Sequence, residues 1–256
     1  LVPFSSMESA SHTATQDVFL ADRYFNIIDD PILYTNDDSV SFTLDDIEVN
    51  LAVYSPKGVH KAADFKETLE EMMQAQKRFL GNANTTKSYD ILLLLMSMEE
   101  LQHYRGMQGA LEHHTSTTVV FYEGLDTESL KEYLVDVVSH EFFHTLTPLN
   151  IHSEQVHYFN YNEGVMSQHL WMYEGTTEYF ANLFQVQQNI IDENNFYGRM
   201  SDKISRAKRF DDNMPFTEMS TNIVDEPYQA NYQNVYYKGA LINMCLDIII
   251  REQSGG

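Results

Sequence analysis

Two histidines four residues apart, with a glutamate directly after the first, form the segment of this chain best suited to chemistry: His140-Glu141-Phe142-Phe143-His144. On a helix the i, i+4 spacing brings both imidazoles to one side, about 5–6 Å apart at Cβ. Two neutral ring nitrogens facing one point suit zinc, and Glu141, one residue round the helix, can reach a metal-activated water without itself ligating. The bland alternative is a solvated helix that carries two unrelated histidines.

A zinc enzyme of this kind takes a third protein ligand and keeps a fourth position open. Two glutamates compete for the post. Glu163 lies in the polar run Asn160-Tyr161-Asn162-Glu163-Gly164, which reads as a loop, and Glu174 lies in Leu170-Trp171-Met172-Tyr173-Glu174-Gly175, which reads as a helix. Glu174 is preferred because a packed helix holds a ligand more precisely than a loop, and Glu178 one turn on can orient a ligand histidine. Without such roles, Glu174 and Glu178 would be a like-charged i, i+4 pair, which is mildly destabilising. The other zinc pattern, with Gly three and His six residues beyond the second histidine, is excluded because Thr147 and Asn150 hold those places. His152 is read as a surface residue.

The elements that must position these residues follow from periodicity. Val40, Phe42 and Leu44, then Ile47, Val49, Leu51 and Val53, alternate on either side of Asp45-Asp46, which predicts a hairpin with one buried face. His60 to Leu80 carries Leu69, Met72, Met73, Ala75 and Phe79 at helical spacing. Tyr89 to Met96 is a continuous apolar strand, and Thr117 to Tyr122 a short β-branched and aromatic run expected at a sheet edge. Asp126 or Thr127 opens a helix expected to run to about Leu146, before Pro148. Further helices are expected over His169–Gln188, Asp192–Arg209 and Asn234–Arg251, with a loop-rich stretch from Asp211 to Asn231. The reading is α+β, a mainly antiparallel sheet followed by a helical half.

Composition narrows the partners. With 16 Lys+Arg against 38 Asp+Glu the chain of 256 residues carries a formal charge of −22, which argues against a nucleic-acid partner. No apolar run is long enough to span a bilayer, and the single Cys245 excludes an internal disulfide. Cys245 is expected to be a small buried apolar residue. The ends read as cuts, so the piece is taken as a soluble fragment whose parent's compartment is unknown, a periplasmic or exported setting being compatible.

Four segments in order resemble the glycyl aminopeptidase family, gluzincin metallopeptidases related to aminopeptidase N. They are Gly109-Ala110-Leu111-Glu112-His113, His140–Thr145, Leu170–Tyr179 and Tyr236-Tyr237-Lys238-Gly239-Ala240. The resemblance implies a thermolysin-like zinc peptidase catalytic domain over 58–256, preceded over 1–57 by the tail of a β domain and a connecting hairpin. The family's PDZ domain would be absent. It implies peptide substrates with a free N-terminus, Zn2+ on His140, His144 and Glu174, and Glu141 as general base. It also implies that Glu112 meets the substrate's α-amine, and that Tyr236 donates to the oxyanion. Tyr237 is the rival of Tyr236 and is expected to pack in the core with Leu241, Met244 and Ile248. The extended peptide would pair with the edge strand Thr117–Tyr122. Leu146-Thr147 stands where the family often has Trp-Asn, which bears on pocket shape. Two other readings fit the same residues: an inactive peptide-binding scaffold of this fold, or a zinc endopeptidase in which Glu112 is structural. Oligomeric state is not readable.

Overall fold

The N-terminal stretch, where no run is long enough to show a period, folds as β1 (Val2–Phe4), β2 (Glu8–His12), β3 (Asp17–Leu20), α1 (Tyr24–Asp29) and β4 (Leu33–Thr35). β1 pairs with β4 and β2 with β3, both antiparallel. The structure, a computed structural model, describes residues 2–36 and 38–255. The chain forms two compact units, Leu1–Thr145 and Leu146–Gly256.

The alternation from Val40 to Tyr54 gives the expected hairpin, β5 (Ser39–Leu44) and β6 (Ile47–Tyr54), with Asp45 in the left-handed region at the turn (φ 53°). Leu44, Ile47, Val49 and Leu51 are fully buried. α2 (Ala62–Leu80) then crosses over to β7 (Ser88–Met96), which makes β7 parallel to β6. After a short α3 (Met98–His103) come β8 (Gly109–Glu112) and β9 (Ser116–Tyr122). The sheet order is β5-β6-β7-β9-β8.

Two expectations are corrected here. The five-stranded sheet is mixed rather than mainly antiparallel: β6, β7 and β9 run parallel and only the two outer strands are antiparallel to their neighbours. A strand buried on both faces, as β7 is, belongs in a parallel centre, and its unbroken apolar run was the signal for that. Nor is Thr117–Tyr122 at the edge, because β8 lies outside it. Four residues containing Gly and Glu are too short and too polar to register as a strand from sequence.

α4 (Thr127–Phe143) covers one face of this sheet. It starts where expected, with Asp126 accepting from the Ser129 backbone N–H at 2.9 Å. Leu130, Leu134, Val138 and Phe142 form its buried stripe. Phe142 meets Tyr89 edge to face with ring centroids 4.9 Å apart, and Tyr133 stacks on Phe121. Beside it, α2 donates from Gln76 to the Ser139 carbonyl at 2.8 Å.

The second unit is helical: α5 (Glu154–His157), α6 (Leu170–Gln187), α7 (Glu193–Ala207), α8 (Phe216–Thr221) and α9 (Ala240–Ser254). A π-helical turn, Val235–Gly239, leads into α9. Expected burials are overturned here. Tyr237 is half-buried against Phe210 and the Arg206 guanidinium instead of in the core, and Ile248 and Cys245 are exposed. The extra residue in the π-helical turn shifts the helical phase by about 100° across it, so Tyr237 does not continue the face of Leu241 and Met244 on α9. Among the described residues no helix is long and apolar enough to cross a membrane.

Candidate metal and catalytic site

In the first unit the site residues stand on α4 and on the edge strand β8. The last turn of α4 carries His140 and Glu141, and His144 caps it, its N–H donating to the Glu141 carbonyl at 3.1 Å. The two imidazoles lie on one side with ring centroids 4.8 Å apart, and all three residues are at least 92% buried. Two buried imidazoles at this separation form a donor pair of the kind zinc takes.

Residues registered across strands share a face of the sheet. Thr117 of β9 opposes both Ile91 of β7 and Glu112 of β8, so Glu112, Thr117, Ile91 and Tyr89 all point toward α4. One ligand-type atom from each of Glu112, Glu141 and His144 accordingly lies within 4.8 Å of the others. The local field is negative. Burial and then the charge of Glu141 push the Tyr133 phenol up to about 12. Tyr89, fully buried, is raised well above its ordinary range by burial and then by Glu141 and Glu112.

In the second unit α6 carries Glu174 and Glu178. Glu174 is 8% exposed, whereas Glu163 sits exposed in its loop. Glu178 pairs with Lys203 of α7 and accepts from the Asn182 side chain at 3.2 Å. Tyr236 lies in the π-helical turn, packed against the cluster of Met219, Ile223 and Val235, with its hydroxyl 2.7 Å from that of Tyr232. α6 and this turn meet at glycines: a Cβ on Gly175 would come within 2.6 Å of the Gly239 carbonyl carbon. Asn243 fixes the contact by donating to the Gly239 carbonyl at 2.9 Å and accepting from Thr176 at 2.9 Å. His152, expected at the surface, is half-buried and stacks on the exposed His157.

Lys203 was not found from the sequence. It is 8% exposed, and besides Glu178 it donates to the Tyr236 carbonyl at 3.2 Å, joining the two elements that carry the unit's candidate residues. A signal was present: Lys203 falls in line with Met200 and Ala207 on the buried stripe of α7.

Comparison with known proteins agrees with the resemblance read above. The sequence pattern of the M61 glycyl aminopeptidases matches residues 133–242, which takes in three of the four segments and leaves out Gly109–His113. The chain is similar to the crystal structure of an aminopeptidase N family protein from Idiomarina loihiensis, with a TM-score of 0.78 and 25% identity. The match covers 99% of this chain and 44% of that one, so this chain spans less than half of that protein's length. No curated protein matches.

Proposed function

From this likeness to the M61 glycyl aminopeptidases, we propose that the chain is the zinc-binding part of an aminopeptidase that removes N-terminal residues from peptides. The observation that carries the reading is the joint placement of Glu112, Glu141 and His144 within 4.8 Å of one another, beside His140. On this reading Glu141 would serve as general base, Glu112 as the amine-binding carboxylate and His144 as an imidazole donor, side by side.

His140, His144 and Glu174 would hold the metal, and the donor set fits: two imidazoles and one carboxylate, all buried, on the ends and middles of packed helices. When bound, zinc lowers the pKa of a water toward about 7 and polarises the scissile carbonyl. Glu141 then accepts the proton of the attacking water and returns it to the leaving amine. The Tyr236 hydroxyl donates to the carbonyl oxygen as negative charge develops there. Glu112 makes a charge-assisted pair with the substrate's ammonium, and so fixes the register at the first peptide bond. Glu178 keeps a ligand histidine oriented. The substrate strand adds to β8, an edge strand of the sheet among the described residues, in place of the edge expected at Thr117–Tyr122. A thermolysin-like domain over 58–256, after the tail of a β domain over 1–57, is part of the same proposal.

Glu141→Gln removes the base without touching a ligand. The variant should bind zinc as the wild type does and lose at least about a hundredfold in kcat on an unblocked peptide. Full turnover in a zinc-loaded Glu141→Gln protein would refute the mechanism.

A further inference from the structure

Glu112 is the last residue of β8, and the chain turns immediately after it through His113, His114 and Thr115 into β9. The turn closes with the His113 N–H donating to the Ser116 carbonyl at 2.9 Å. A glutamate at the end of an edge strand has sheet hydrogen bonding on one side only, so its position depends on what holds this turn. The holder is the N-terminal segment. Asp29, at the end of α1 and 8% exposed, accepts from the His114 backbone N–H at 3.2 Å and from its ring Nδ1 at 3.0 Å. Its other oxygen stands 3.8 Å from Nδ1 of His113, which is itself 6% exposed.

The neighbours of Asp29 grip the same turn. Thr115 donates to the Asp30 carboxylate at 3.4 Å, and the Ser6 hydroxyl lies within hydrogen-bond reach of the Thr115 carbonyl at 3.3 Å and of the Asp90 carboxylate of β7 at 3.0 Å. The Phe25 ring meets the His114 ring edge to face at 5.2 Å. Three consecutive turn residues are thus each tied to the first thirty residues, and the tightest ties end on one carboxylate. Burial would raise the Asp29 carboxyl, but its contacts with His113 and His114 outweigh this and hold it well below the usual carboxylate range. It stays ionised as an acceptor.

We infer that Asp29 is a positioning residue for amine recognition: by clamping His113 and His114 it sets where the Glu112 carboxylate stands, so the N-terminal segment is a determinant of exopeptidase specificity. The inference rests on the reading of Glu112 as the amine-binding group. It reaches beyond that reading because residues 5–30 lie outside the family match over 133–242.

The test uses the full chain with Asp29→Asn, with His114→Ala as a second variant at a site that is more exposed and tolerant, and with Glu112→Gln as reference. Two quantities are read: steady-state kinetics on an unblocked peptide, and amide hydrogen exchange over 109–116. Both clamp variants should speed exchange in that segment and raise KM about tenfold with kcat nearly unchanged, the mark of weakened ground-state binding as opposed to damaged chemistry. Unchanged exchange over 109–116 in both variants overturns the inference whatever the kinetics. So does unchanged KM in both when Glu112→Gln raises it, and in that case the proposed function stands. If Glu112→Gln leaves KM unchanged, or the wild type cleaves no unblocked peptide, the amine reading itself fails and this inference falls with it.

Discussion

The two units hold their candidate residues by different physics. In the first, His140, Glu141 and His144 stand at the end of a helix whose whole inner stripe, Leu130, Leu134, Val138 and Phe142, is pressed on a sheet of fully buried aliphatic residues. In the second, Glu178 and Tyr236 are fixed by polar bridges and by backbone contact: Lys203 joins them, and Gly175 and Gly239 let their two elements touch. Apolar packing tolerates the loss of a stray polar atom and suffers from a cavity. A bridge of charges tolerates little, because each partner removed leaves the other buried.

This contrast can be broken at four positions. Leu134→Ala should cost about 3–4 kcal/mol, since it opens a cavity under α4 where nothing polar compensates; urea unfolding measures it. Gly175→Ala should cost about 3 kcal/mol, because its methyl would overlap the Gly239 backbone, which cannot swing away like a side chain end. Equal stability to the wild type would show that α6 and the π-helical turn are not in rigid contact. Lys203→Met should cost about 2 kcal/mol, less than a fully buried pair because Glu178 keeps some exposure to water. Combined with Glu178→Gln, it should lose less than the sum of the two single changes, and strict additivity would mean the bridge carries no coupling. The smallest effect belongs to the first unit. Among the described residues the buried Tyr89 hydroxyl has no hydrogen-bond partner of ordinary geometry and only interacts with the Thr117 side chain, so Tyr89→Phe should change stability by no more than about 0.5 kcal/mol. A large loss there would mean that the sheet face under the site depends on a polar contact after all.

The same contrast explains what could be read in the sequence. The hairpin β5–β6 and the helix α2 showed as hydrophobic periods and β7 as an unbroken apolar run, because their positions are set by burial of apolar residues, whereas α4 showed by its N-terminal cap and the following proline. The histidine pair was legible for a related reason, since a helix converts spacing into facing. Asp29 was not legible as the clamp of the turn after Glu112, nor Lys203 as the partner of Glu178 and Tyr236. A salt bridge between residues 25 positions apart leaves no period, and a carboxylate in a segment of short strands looks like any surface acid. The π-helical turn was hidden as well, since its extra residue is invisible until the phases of the helices before and after it are compared. The edge strand β8 was recognised only as a motif, although its glutamate is the residue on which amine recognition is proposed to depend.

The central claim is the proposal that His140, His144 and Glu174 would hold a zinc ion. It is tested most directly by zinc-edge anomalous scattering from crystals of the zinc-loaded protein. The account predicts one strong peak bonded to His140, His144 and Glu174. A peak whose carboxylate ligand is Glu163, or a fully zinc-loaded protein with no peak at the histidine pair, would contradict it.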